Sequence, residues 1–146
     1  MGSIAPLTFD NQYIEKKHHF LNKMRSKIVY SIKIIQMDYI STLQLNEILE
    51  VETNTLILNV LSYEDYISHH IPKSVHVDVH DEAFCQKVKA LQKDINATII
   101  VYGKDHTLEK SIIAHDKIEN LGYKHCLILK GGLSEWEKNG LLLIER

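Results

Sequence analysis

A chain of 146 residues, 45% hydrophobic and 25% charged with a formal net charge of −2, has the makeup of one globular domain with a sizeable core. The near-neutral balance supplies no broad pull toward nucleic acid or anionic lipid, and no apolar run approaches the roughly 20 residues that cross a bilayer. The opening Met1-Gly-Ser-Ile-Ala-Pro-Leu lacks the basic, apolar and small-residue zones of a secretory leader, so none is expected.

In chain order, residues 10–24 carry a helical pattern, with Tyr13, Phe20, Leu21, Met24 and Ile28 near one face and Asp10 as N-cap. The apolar face needs cover, from the domain itself or from another chain. Its basic residues (Lys16, Lys17, Lys23, Arg25, Lys27) read as a solvated face. Residues 34–40 suggest a strand, and Ser41 or Thr42 caps a short helix through Leu43, Leu45, Ile48 and Leu49. Residues 55–60 form a nearly continuous apolar run, as a parallel strand covered on both faces requires. Ser62 caps the next helix, whose first turn is acidic at Glu64 and Asp65. A brief strand at 75–77 precedes a helix over 81–91 with Phe84, Val88 and Leu91 inward. Residues 98–102 and 125–129 are two further buried strands, separated by a helix over 108–121 that Gly122 ends at positive φ. Gly131-Gly132 turns the chain into a last short helix bearing Trp136. Strands alternating with helices at this spacing predict an α/β domain around a mostly parallel sheet.

In such a domain the chemistry sits where a strand ends and the next helix begins. Here that turn is Gly103, Lys104, Asp105, His106, Thr107, Leu108, Glu109 and Lys110. Lys104, His106 and Lys110 are the candidates for binding a small anion, helped by free amides at the helix start. Asp105 and Glu109 oppose them with negative charge, and Thr107 reads as the N-cap. Cys126 lies inside an apolar strand and reads as a small core residue. Cys85 has Asp81 and Glu82 one turn upstream, which disfavours a thiolate there. The two thiols lack metal-type or redox-type spacing, so no disulfide framework is expected, in keeping with a cytoplasmic setting. His76, Asp78 and His80 share a strand face and would converge on a metal only if the strand continued. Polar residues in contact with water are the simpler reading, as for His18-His19 and His69, and neither a resident metal nor a cofactor is expected. Trp136 and Tyr123 read as packing residues under the Gly131-Gly132 turn.

Four landmarks in order resemble the rhodanese-like family: Leu56-Ile-Leu-Asn-Val-Leu-Ser-Tyr-Glu-Asp-Tyr66, His70-Ile-Pro72, the strand-loop-helix ending Leu121-Gly-Tyr123, and Leu129-Lys-Gly-Gly-Leu-Ser-Glu-Trp136 followed by Asn139-Gly140. The resemblance covers residues 35–146 and implies a three-layer domain with a central, mostly parallel five-stranded sheet. Residues 1–34 are then an added N-terminal helical extension. The resemblance also places the family's reactive cysteine at Gly103 and a subgroup's second cysteine at Leu108, while Asn59 and Leu61 replace a customary Asp and Arg. His69 and Lys73 replace the glycines flanking His-Ile-Pro, and His70 is a structural member of that turn. Sulfur transfer runs through a cysteine persulfide, which glycine cannot form. The implied function is a catalytically inactive binding or regulatory module, its partner another protein, with a small anion at the loop as a second ligand and neither nucleic acid nor membrane. The alternative is a sulfurtransferase or sulfur carrier using Cys85 or a cysteine lent by a partner.

Overall fold

The structure, a computed structural model, describes residues 38–51 and 54–146. The expected helix at 10–24 and the extension at 1–34 lie outside the described residues.

Five parallel strands form the central sheet in the order β1-β6-β5-β2-β4: β1 is Tyr39–Ile40, β2 Leu56–Asn59, β4 Val75–His76, β5 Thr98–Tyr102 and β6 His125–Leu129. β3 (His69–His70) and β7 (Ile144–Glu145) make a separate antiparallel pair. The helices are α1 (Thr42–Leu49), α2 (Tyr63–Ser68), α3 (Phe84–Leu91), α4 (Glu109–Asn120) and α5 (Gly132–Lys138). The five-stranded α/β architecture expected above is therefore present.

Strand alternation sends successive side chains to opposite faces. Ile57, Ile100, Tyr102 and Leu129 pack with Leu45 of α1 and Trp136 of α5 in one core cluster. The alternate residues, among them Ile99, Val101, Cys126 and Ile128, are buried on the other face, where α4 packs on β5 and β6 and α3 packs on α4. Because both faces are covered, all four residues of β2 are buried, which accounts for the unbroken apolar run.

Helix starts follow the chemistry of their caps. Ser41 caps α1 in a reciprocal box with Gln44, and the Ser62 hydroxyl accepts from the Asp65 amide. Two starts differ from the sequence expectation. α3 begins at Phe84 rather than Asp81, because the Asp81 carboxylate accepts from the Ala83 amide and pairs with Lys87, holding a turn before the helix. Thr107 does not cap α4. Its amide and hydroxyl both donate to Asp105 Oδ1, and α4 starts after Leu108 with no side-chain cap.

Candidate functional site

The carboxyl ends of β2 and β5 and the segment leading into β4 meet at a buried phenol. Tyr102 Oη accepts from Asn59 Nδ2 at 3.0 Å and from the Ile71 amide at 3.1 Å. The Ser74 hydroxyl donates to the Ile71 carbonyl at 2.6 Å, so the phenol's own hydrogen goes to Ser74 Oγ at 2.8 Å. Asn59 Oδ1 accepts from the Leu61 amide at 3.0 Å. Every hydrogen-bonding position of the phenol is filled, as buried polar groups require. Burial holds the phenol above its ordinary pKa, against the hydrogen bonds of Ser74, Ile71 and Asn59. A neutral brace thus ties the residue before Gly103 to the His70-Ile-Pro72 turn. Tyr102→Phe strips a partner from two buried donors and is expected to lower stability by about 2–3 kcal/mol, read as a lower midpoint in urea at unchanged m-value.

Beyond Tyr102 the loop packs on the start of α5. The Gly103 carbonyl accepts from the Leu133 amide at 3.0 Å, and the Lys104 carbonyl accepts from the Ser134 amide at 2.7 Å. Gly132, at φ +58°, lets these backbones touch: a Cβ there would stand 2.7 Å from the Gly103 carbonyl oxygen. Position 103 itself is roomier. A Cβ added there would lie 3.3 Å from Ser111 Oγ and 4.0 Å from Leu61 Cδ2.

The three expected binding residues are not brought together. Lys104 lines a 210 Å³ cavity with Leu61, Asp65, His69 and Glu137. His106 lines a different 210 Å³ cavity with Ser41, Thr42, Lys130 and Glu135. Lys110, in the first turn of α4, lines neither. Asp105 is held below the usual carboxylate range by its hydrogen bonds from Thr107, so it stays ionised beside Lys104. Glu109 is exposed in the same turn.

Neither cavity is lined by a cysteine. Cys126 is 5% exposed, opposite Ile99 in the strand register. At about 3.3 Å per strand residue, Ile99 lies roughly 13 Å up-strand of Gly103. Burial, with a lesser contribution from Glu119, pushes the Cys126 thiol up from 9.0 to about 12. The native state therefore keeps a proton that the unfolded chain sheds above pH 9. The stabilisation is complete below that value and is lost as pH rises toward about 12, by about 1.4 kcal/mol per pH unit. Urea midpoints taken over roughly pH 8 to 11 are expected to fall less steeply for Cys126→Ala than for the parent chain. Cys85 is half-buried on α3.

The remaining expectations resolve locally. His76 Nε2 donates to the Leu61 carbonyl at 2.7 Å and Asp78 Oδ1 accepts from the His80 amide, so these three residues do not converge on a metal. His70 Nδ1 donates to the Tyr66 carbonyl at 2.9 Å with its ring stacked on Tyr66, a structural role in its turn. His69 lies between Ser68 and Glu145. Lys73 adopts φ +65°, the left-handed conformation that suits the glycine it replaces. Trp136 is fully buried, and buried Tyr123 donates to the Gln92 carbonyl. The Tyr102 brace was not anticipated. Its one sequence signal is Asn59, an amide inside an otherwise apolar strand.

No curated protein matches the sequence. Solved structures do. A protein of Bacillus halodurans superposes with a TM-score of 0.66 at 17% identity, over 90% of this chain and 85% of that one. The rhodanese-like domain of an Anabaena protein gives 0.64 at 23% identity, over 76% and 81%. A 3-mercaptopyruvate sulfotransferase of Escherichia coli gives 0.64 at 20% identity, over 75% of this chain and 52% of that enzyme. The sequence profile of the Rhodanese-like domain matches residues 41–139. With the expected five-stranded parallel sheet and turn motifs in place, the chain belongs to the rhodanese-like domain family, which is related to sulfurtransferases.

Proposed function

We propose that this chain is a catalytically inactive rhodanese-like domain, residues 35–146, that works as a binding or regulatory module for another protein in the cytoplasm. The observation that carries the reading is the loop after β5. Position 103 is glycine, and the two thiols stand elsewhere, Cys126 in the core of β6 and Cys85 on α3. A persulfide needs a sulfur atom at the mouth of that loop. Removing a covalent nucleophile takes away most of a rate enhancement of many orders of magnitude. The proton held on Cys126 argues in the same direction, since the thiolate is the reactive form. An added Cβ at position 103 would press on the Ser111 hydroxyl at 3.3 Å and meet no backbone within 4 Å, so the glycine is not demanded by a backbone clash.

The binding surface in this reading is the loop with its two cavities. A small anion there would meet Lys104 or His106, each in its own cavity and each near carboxylates. A protein partner, which can contact both cavities at once, fits this arrangement better. Assay of thiosulfate:cyanide sulfur transfer, with mass spectrometry of the intact chain for a persulfide, is the test. The expected result is thiocyanate formation at the buffer blank and an unmodified chain. Turnover accompanied by a persulfide on Cys85 or Cys126 would overturn the reading in favour of a sulfurtransferase using a non-standard cysteine.

A further inference from the structure

One motif of the sequence finds no use in the loop: Asn139-Gly140, the one place where glycine follows asparagine. The side-chain amide carbon of an asparagine can be attacked by the next residue's backbone nitrogen, closing a five-membered imide. Glycine leaves that nitrogen unshielded, because it has no side chain. Both residues are exposed at the end of α5. Gly140 sits at φ +69°, and a Cβ added there would meet nothing within 4 Å.

The folded chain restrains this pair in three ways. Asn139, the C-cap of α5, has ψ +5°, which nearly eclipses the Gly140 nitrogen with the Asn139 nitrogen. Ring closure needs it turned onto Cβ instead. The Gly140 amide donates to the Glu137 carbonyl at 2.9 Å, so the proton that must leave is engaged. Asn139 Nδ2 donates to Thr42 Oγ1 at 2.7 Å. Thr42 is 3% exposed in the first turn of α1, so this bond ties the end of one helix to the start of another. All three restraints act on a terminal helical turn, which opens far more readily than a core. An opening confined to this turn breaks these two hydrogen bonds and none in the sheet.

We propose that Asn139 is a deamidation site, latched by Thr42 and released by fraying of the last turn of α5. Once the turn opens, the Gly140 nitrogen gives its proton to base in the solvent and attacks Asn139 Cγ. The C–N bond of the imide forms as Nδ2 leaves as ammonia. Water then opens the ring at either carbonyl, leaving aspartate or isoaspartate. The product places a carboxylate at a helix C-terminus, where the dipole disfavours it, four residues after Glu135. Isoaspartate also adds a methylene to the backbone and loses the amide that donates to Thr42. Ser41, Thr42 and Glu135 line the cavity that holds His106, so the modification reaches the loop surface.

The test incubates the full chain in mildly alkaline buffer, folded and in guanidinium chloride. Peptide mass spectrometry maps replacement of NH by O, and isoaspartate. In the folded chain Asn139 is expected to convert ahead of every other asparagine, and at least about tenfold more slowly than in denaturant. Because ring closure must break the Gly140 bond, that slowing should equal or exceed the hydrogen-exchange protection of the Gly140 amide. Thr42→Val keeps the shape of the side chain but removes its acceptor, and should speed conversion at least about threefold. Ser41→Ala weakens the same helix start but keeps that acceptor, and should speed it less. If Thr42→Val does not fold, the comparison with Gly140 protection decides. Conversion led by another asparagine, slowing smaller than the protection factor, or an unchanged rate in folded Thr42→Val overturns the proposal.

Discussion

Trp136→Ala is expected to cost about 3–5 kcal/mol of stability, the largest single loss from the core. The indole is fully buried where α5 meets the sheet, in one cluster with Leu45, Tyr102 and Leu129. Alanine forfeits the transfer energy of the ring and leaves a cavity that backbone on several sides cannot collapse to fill. A second effect follows from Nε1, which donates to the Leu142 carbonyl at 2.9 Å. That bond holds the chain leaving α5 before it pairs as β7 with β3. Urea unfolding reads the first effect. Hydrogen exchange reads the second, as lost protection at residues 144–145 beyond the global change.

Gly132→Ala is expected to cost about 2–5 kcal/mol and to displace the loop. Two terms add. The residue sits at φ +58°, where a Cβ costs about 1–2 kcal/mol. The same Cβ would also stand 2.7 Å from the Gly103 carbonyl oxygen and 3.0 Å from both the Asp105 nitrogen and the Lys104 carbonyl carbon. These are backbone atoms and cannot rotate aside. Gly122→Ala separates the terms, because φ there is +97° and an added Cβ meets nothing within 4 Å. Because φ +97° lies outside the left-handed basin that +58° occupies, the excess loss in Gly132→Ala over Gly122→Ala, measured in urea, is a lower bound on the steric part. Amide shifts at residues 103–106 should move in Gly132→Ala alone.

The strands were legible where burial is two-sided. Residues 56–59, 98–102 and 125–129 read as apolar runs because helices cover both faces of the sheet. Helix starts were less legible where a side chain competes for the backbone. Asp81 and Asp105 each hold a turn just before a helix, delaying α3 and drawing Thr107 away from α4. The β3–β7 pair left no signal, since two-residue strands carry too little alternation and their partners are far apart in sequence. Within the site, the glycine at 103 and the lysine and histidine after it were visible as residue types. Their division between two cavities was not, because it depends on how α5 packs against the loop.

The order of apolar runs and turn residues in the chain was enough to determine the α/β class, the parallel sheet and the place of the loop, because burial on both faces leaves a local trace. Tertiary packing alone decided which polar groups meet. Asn59, Ile71, Ser74 and Tyr102 join at one phenol, and His115 reaches the Cys126 carbonyl, through strand and helix neighbours that are distant in the chain. Hydrogen bonds act over about 3 Å, and such distances are set only when the sheet closes.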